Sequence, residues 1–366
     1  MGNCILVTNI NNPSEQRYLR SHDDEITCLA VSNQGKILAS GQKGNNSDVL
    51  VWEYNTGSVR FKLSEHDYEV TCVAFSYDDR LLFSCGNFMD KKVFIWDTQS
   101  GCIVASCMFG NPITCATWGG FIRDLKWRET GEYQFATSSG KSINLWRLNA
   151  KVGSLDNEQL SLGSTQREFT CLAFGQDEER ELIAGTSSAD FIVIDMKNKS
   201  LKETSPIGTN GVTSVVTISP TQMAVGCGNG VLAMYKNNGN GWKLEYQQSL
   251  GHLISGLSYN NGRLIALNNF SQTIVIDIQS KKSFLWQEGH NGAISNVRFS
   301  DGRTNSFATA SDDGSIRFWD TKNNLGTGHI SLPKSGSPLY MQITDDIMIR
   351  YFFLLKKNLV VGKTGL

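Results

Sequence analysis

Hydroxyl, imidazole and carboxylate side chains recur at matching intervals along this 366-residue sequence. His66, Ser84 and Asp90 precede Trp96, and His290, Thr309 and Asp313 precede Trp319, with six residues from aspartate to tryptophan in both sets. A hydrolase needs these types as nucleophile, base and orienting carboxylate. Repetition argues against that use, because the set appears twice as a unit and no Gly-x-Ser-x-Gly elbow accompanies it. The sequence therefore reads as non-enzymatic, with no catalytic residue assigned. A third, partial set comprises His22, Ser40 and Trp52. There Asp48 stands only four residues before the tryptophan, and Asn46 is the candidate substitute.

Cysteine supplies the next candidate chemistry. Cys28, Cys72, Cys115 and Cys171 fall at one phase of a repeated segment, which suits small buried fillers. No Cys-x-x-Cys pair is present and the five histidines are far apart, so zinc-type spacing is missing and neither metal nor cofactor is expected. Gly362-Lys363-Thr364 resembles the end of a phosphate-binding loop, but Lys357 stands where its first glycine belongs.

Composition limits the partners. Lys plus Arg is 34 and Asp plus Glu is 35, a formal net charge of -1, so no general attraction to nucleic acid or anionic membrane is expected. Gly at 35 against Pro at 6, with 40% hydrophobic and 10% aromatic residues, suits a turn-rich all-β chain. Nine cysteines, an odd number, and an opening without a charged leader point to a reducing compartment. Met1-Gly2-Asn3-Cys4 is similar to an acylation signal, but Leu6 replaces the expected Ser or Thr and the segment reads as a strand. The longest apolar stretch, Ile347 to Leu355, is broken by Arg350 and is far short of the roughly 20 residues of a spanning helix.

The elements that must position these residues are repeats. Ile26–Val31, Val70–Phe75, Ile113–Trp118, Phe169–Phe174, Ile254–Tyr259 and Ile294–Phe299 align, with Val212–Ile218 as a looser seventh copy. Each is followed by a second short strand and then a third ending at Trp52, Trp96, Trp146, Ile194, Tyr235, Ile276 or Trp319. These ends are 44, 50, 48, 41, 41 and 43 residues apart, the length of a four-stranded propeller blade. Alternating β-branched and aromatic residues make the strands, and helix is a minor component. The expectation is an all-β, seven-bladed β-propeller at residues 21–320, preceded by N-terminal strands at 1–20 and followed by a C-terminal tail at 321–366.

Closure and register leave alternatives. Arg17–Arg20 could supply an outer strand beside Ser315–Asp320. Cys4–Ile10 also reads as a third strand whose first two strands residues 338–366 could donate, giving eight blades with a composite closing blade. Half of a double propeller is the other alternative. Ile122–Trp127 competes with Ile113–Trp118 as a first strand. If it is the insertion, Phe121, Arg123, Lys126, Trp127 and Arg128 form a loop suited to partner contact, and otherwise they are core strand. The long turn from Gln42 to Ser47, with Lys43, Asn45 and Asn46, is a second candidate contact.

The Asp-to-Trp spacing resembles that of WD-repeat propellers. In that family Trp, Ser or Thr, His and Asp form a buried hydrogen-bonded chain, and burial demands such partners. Ser21–Gln42, Asp48–Trp52, Gly2–Ile10, Ala184–Asp190 and Val225–Gly230 are similar to the axonemal branch of these proteins. The similarity extends over about residues 2 to 320 and leaves the segment after Asp320 unmatched. The resemblance implies a scaffold in the axoneme of a cilium or flagellum, part of the cytoskeleton. Its partners would be tubulin and other microtubule inner proteins, with no nucleic acid or membrane. The alternative is a cytosolic adaptor in a ubiquitin ligase or trafficking complex.

Overall fold

The computed structural model describes residues 2–124, 126, 128–163, 166–176, 180–208, 210–300, 303–322, 325–331, 338–343, 348–355 and 358–365. It gives the backbone alone at 13, 14, 300, 303–305, 325, 327 and from 329 on. Every regular element among these residues is a β-strand. Two units are delimited, one of Met1–Leu6 and Tyr18–Tyr259, the other of Val7–Arg17 and Asn260–Leu366. The hairpin of β1 (Cys4–Asn9) and β2 (Asn12–Arg20) is divided between them.

In the first unit, four consecutive strands repeatedly pair in chain order. The first sheet is β3 to β6 (Ile26–Val31, Ile37–Gln42, Val49–Glu53, Val59–Leu63) and the second is β7 to β10 (Val70–Phe75, Leu81–Gly86, Lys92–Asp97, Ile103–Met108). The third is β11 to β14 (Cys115–Arg123, Glu129–Ser139, Ser142–Asn149, Ser154–Gln159) and the fourth β15 to β18 (Phe169–Phe174, Glu181–Thr186, Asp190–Asp195, Ser200–Pro206). The fifth is β19 to β22 (Val212–Ser219, Gln222–Cys227, Val231–Asn237, Trp242–Ser249), and β23 (Ile254–Asn260) ends the unit. The second unit holds β24 to β26 (Arg263–Asn268, Gln272–Asp277, Lys282–Glu288) and a four-stranded sheet of β27 to β30 (Ile294–Ser300, Arg303–Ser311, Ser315–Asp320, Leu325–Ser331). A three-stranded sheet of β31 to β33 follows (Pro338–Ile343, Met348–Leu355, Asn358–Gly365).

Alternation along each strand builds the core. Leu82, Phe94 and Trp96 of the second sheet pack with Ala39, Val49 and Val51 of the first. Leu81, Phe83, Val93 and Ile95 point the other way and pack with Phe135 and Trp146 of the third. Further clusters join the third sheet to the fourth and the fourth to the fifth. The second strands β4 and β8 are covered on both faces, buried along their whole length, and read as runs of small and apolar residues up to the closing Gln42 of β4.

A recurrent joint sets the distance between neighbouring sheets. Thr27 donates to the Val70 carbonyl, Thr170 to that of Val212 and Thr213 to that of Ile254, each from a first strand to the next. Thr114 reaches the Phe169 carbonyl at 3.5 Å. Thr71 instead turns to Cys85 of its own sheet, and Trp118 donates to the Ala74 carbonyl at 2.9 Å to span that joint. Opposite the residues that follow Thr27, Thr170 and Thr213 the second strand carries Gly41, Gly185 and Gly226. A Cβ on Gly41 would lie 2.6 Å from Val70 Cγ1 and 2.7 Å from Cys28 Sγ, and one on Gly185 would lie 2.5 Å from both Val212 Cγ1 and Cys171 Sγ.

Two sequence expectations are corrected. β29 is flanked by β28 and β30, so β30 occupies the place beside Ser315–Asp320 offered to Arg17–Arg20, which lie in β2 paired with β1. Ile113–Trp118 overlaps the first strand β11, while Ile122–Arg123 extend that same strand. Phe121 pairs with Tyr133 and Arg123 with Glu129, so the segment ends a lengthened hairpin through two register shifts. Residues 321–366, whose structure the sequence left open, contain β30 to β33.

Gly185→Ala is expected to destabilise the protein by about 1–3 kcal/mol, because neither buried Val212 nor half-buried Cys171 can withdraw freely. Gly256→Ala, where a Cβ meets nothing within 4 Å, is the control, and urea unfolding of both variants measures the difference.

Candidate functional site: buried tetrads and exposed turns

In the second sheet the folded chain brings His66, Ser84, Asp90 and Trp96 together. Trp96 Nε1 donates to Ser84 Oγ at 2.9 Å, Ser84 Oγ lies 2.9 Å from His66 Nε2, and His66 Nδ1 lies 2.5 Å from Asp90 Oδ2. One proton arrangement satisfies all four groups: tryptophan to serine, serine to imidazole, and imidazole Nδ1–H to carboxylate. Asp90 Oδ1 also accepts the Asp67 N–H at 2.9 Å. Burial alone would raise the Asp90 carboxyl. The hydrogen bonds from His66 and the Asp67 N–H, with the nearby Lys92 charge, hold it below its ordinary value. Ser84 is 0% exposed and His66 lies under the Phe94 ring, so the hydroxyl has no open approach for a substrate carbonyl.

The second unit repeats the arrangement. Trp319 Nε1 donates to Thr309 Oγ1 at 2.7 Å, His290 Nε2 lies 2.6 Å from that hydroxyl, and His290 Nδ1 lies 3.1 Å from Asp313 Oδ2. Asp313 also accepts the Asn291 N–H at 2.8 Å. Burial would raise its carboxyl, but donors from Ser315, Asn291 and His290 outweigh burial and bring it down to about 2.

The first sheet differs at its acceptor. Trp52 Nε1 donates to Ser40 Oγ at 2.8 Å and His22 Nε2 lies 2.6 Å from it, but His22 Nδ1 donates to Gln42 Oε1 at 2.7 Å. Gln42 is therefore the substitute rather than Asn46, and at 4% exposure it is unavailable to a partner. Asp48 is buried too, accepting from Ser64 at 2.6 Å and pairing with Lys62 at 2.9 Å. Burial lowers the His22 imidazole, against smaller contributions from Gln42 and Asp48.

Sequence spacing missed two related constructions. Trp146 Nε1 donates to Thr137 Oγ1 at 2.8 Å, retaining half of the chain in the third sheet. In the fourth, Arg167 Nε donates to Asp190 Oδ2 at 3.0 Å and the Thr186 hydroxyl donates to Oδ1, so arginine stands in for imidazole. The Thr186–Asp190 interval was the one available signal. Burial raises the thiols of Cys28 and Cys115 to about 12 and that of Cys171 to about 11. Among the described residues no group of three or more His, Cys, Asp or Glu is placed to hold a metal.

The candidate contact residues are distributed over two places. Lys43, Asn45 and Asn46 are exposed on the turn after β4, where Lys43 pairs with Glu25 and the Asn46 N–H donates to the Asp67 carbonyl at 2.9 Å. Phe121 packs half-buried against Tyr77 and Tyr133, whereas Lys126 and Arg128 are exposed. Arg128 binds Asp124 through Nε at 2.9 Å and Nη2 at 2.7 Å, and Arg123 pairs with Glu129 at 3.3 Å. Trp127 lies outside the described residues. Beside this hairpin is an open cleft of about 490 Å³, with Phe121, Trp146 and Met196 in its wall and Arg123, Arg147 and Lys197 at its rim.

These sheets and tetrads are those of WD repeats, and the all-β fold is similar to that of WD-repeat β-propellers. The WD domain, G-beta repeat family matches residues 13–53, 57–97 and 280–320, the segments that end at Trp52, Trp96 and Trp319 with their polar chains. The fold is similar to the β-propeller domain of Cps50 (Swd1) from Myceliophteria thermophila, with a TM-score of 0.52 at 16% identity over 93% of this chain and 96% of that one. It is also similar to the computationally designed Ika8 protein, with a TM-score of 0.55 at 18% identity over 94% and 98%. In sequence the chain is related to cilia- and flagella-associated protein 52. Identity is 27% over 333 residues with the Chlamydomonas reinhardtii protein, covering 87% of this chain and 51% of that one. With the Homo sapiens protein it is 24% over 336 residues, covering 90% and 53%. The chain thus spans about half the length of these curated relatives.

Trp96→Ala should lower unfolding free energy by about 3–5 kcal/mol, since it removes a buried ring and leaves the Ser84–His66 chain without its donor. An unchanged thermal midpoint would contradict that role. Asp313 adds a pH test. Its folded-state value of about 2 lies below the ordinary 3.8, so its stabilisation is complete above the ordinary value and fades as pH falls through about 2. Urea titrations across that range should show wild type losing its advantage over Asp313→Asn.

Proposed function

We propose that this protein is a non-catalytic WD-repeat scaffold of the cilium or flagellum. The reading extends to bracing the doublet microtubule from within, through contacts with tubulin and other axonemal proteins. The similarity to cilia- and flagella-associated protein 52 carries the proposal. It runs over 87–90% of the chain and therefore through the third to sixth repeats, which the WD-repeat family match does not cover. Shared tetrads alone would not produce that extent. Buried Ser84 and His66 support a structural rather than catalytic use of the polar sets. The exposed Lys43–Asn46 turn and the Arg123, Lys126 and Arg128 end of the lengthened hairpin are the proposed contacts, with polar groups on turns held by the strands.

Extraction of isolated axonemes through rising salt and mild detergent, with mass spectrometry of each fraction, tests this function. The protein is expected to stay with the salt-resistant doublets. Recovery only in the cytosolic or matrix fraction would overturn the axonemal role and favour a soluble adaptor.

A further inference from the structure

The turn between β8 and β9 exposes two large apolar side chains, Phe88 at 63% and Met89 at 55%. Leaving such surface in water is unfavourable, and nothing in their own sheet covers them. The turn is nevertheless tightly held. Asn87 Oδ1 accepts the N–H groups of Met89 and Asp90 at 3.0 and 3.1 Å, and the Lys91 N–H donates to the Asn87 carbonyl at 2.9 Å. Asp90 is anchored below by His66. The buried tetrad thus fixes the turn that carries the apolar pair outward.

Neighbouring loops are tied to this turn and supply its surroundings. The Asn87 N–H donates to the Glu69 carbonyl at 2.9 Å, Asp67 N–H to Asp90 at 2.9 Å, and Lys92 Nζ to the Glu65 carbonyl at 3.0 Å. Tyr68, exposed at 37%, stands on the loop so joined. The Asn46–Asp67 backbone bond adds the long turn of the first sheet. Across residues 21–25, 42–48, 62–69 and 87–92, leaving aside the buried Asp48 and Asp90, there are six carboxylates and four lysines. Three of those lysines are already paired, Lys43 with Glu25, Lys62 with Asp48 and Lys92 with Asp67. The rim is therefore acidic around a small apolar platform.

We propose that Phe88, Met89 and Tyr68 form a docking surface for a basic protein segment that inserts a large apolar residue between its lysines or arginines. Charge complementarity selects the occupant: an acidic segment or anionic lipid would meet the unpaired carboxylates, whereas a cationic one is drawn to them. The apolar platform gives the contact its desolvated centre, and the prearranged turn lowers the ordering cost of binding. This inference rests on the reading of the protein as a scaffold and names the face that would serve it.

Fluorescence anisotropy of the full chain tests the surface with a short labelled peptide carrying lysines around a Leu-Phe pair. Matched probes exchange the lysines for glutamates or the Leu-Phe pair for serines. The lysine probe is expected to bind and to weaken as salt is raised, with both matched probes weaker by about tenfold or more. Phe88→Ser with Met89→Ser should lose binding to the same extent while keeping the wild-type melting temperature, since both side chains are exposed. Equal binding of all three probes, no binding of the lysine probe, or binding unaffected by the double substitution would overturn the proposal. So would sedimentation showing that the platform is covered by a second copy of the chain. Retention of the protein in salt-resistant axonemes without peptide binding would remove this surface and leave the scaffold reading intact. Peptide binding without retention would do the reverse.

Discussion

Close approach of neighbouring sheets is the constraint on which the first unit is built. Gly41, Gly185 and Gly226 leave room on the second strand for Val70, Val212 and Ile254 of the following first strand. Thr27, Thr170 and Thr213 then donate to the carbonyls of those same residues. A hydrogen bond and a missing side chain set one distance together. At that distance Cys28 and Cys171 are large enough to fill the remaining space, and the alternating faces of each sheet meet their neighbours at core density. The same spacing keeps second strands such as β4 and β8 dry, which permits a buried serine to become the centre of a polar chain.

Within that frame the tetrads connect the interior to the surface turns. An aspartate has two oxygens to share. Asp90 accepts both the imidazole and the Asp67 N–H, so the loop before β7 and the turn after β8 are fastened at one carboxylate. Gln42 offers one carbonyl oxygen and gives it to His22. The corresponding turn of the first sheet is held by other means, with Ser47 donating to the Gly44 carbonyl at 2.8 Å and buried Asp48 pairing with Lys62. A longer turn tolerates this looser fastening, whereas the short Asn87–Lys91 turn depends on its carboxylate.

The inner strands and third-strand tryptophans were legible in the sequence because burial imposes both their type and their spacing. Outer strands were not. Ser154–Gln159 is almost wholly exposed, so polar residues suffice there and no alternation marks it. The sets at His66 and His290 could be read because each keeps all four types at a repeated interval. Gln42 escaped because the acceptor moved onto β4 itself, and Asn46 was chosen by proximity to the usual place in the turn. Arg167 escaped because an arginine well ahead of its aspartate resembles any surface cation until the fold delivers it to Asp190 at 3.0 Å. Register shifts explain the ambiguity at Phe121–Arg128: β11 slips twice against β12, so the period that identifies a strand face is interrupted although the pairing continues.

The first-strand cysteines give this architecture an internal clock. Thiolate is the reactive form, and burial that raises Cys28 and Cys115 to about 12 leaves almost none of it while the joints are shut. Exchange with an external disulfide is therefore expected to be slow at the closed joints and to quicken when one sheet separates from the next. Because each thiol lies at a different joint, their relative labelling rates would resolve the breathing of the propeller sheet by sheet.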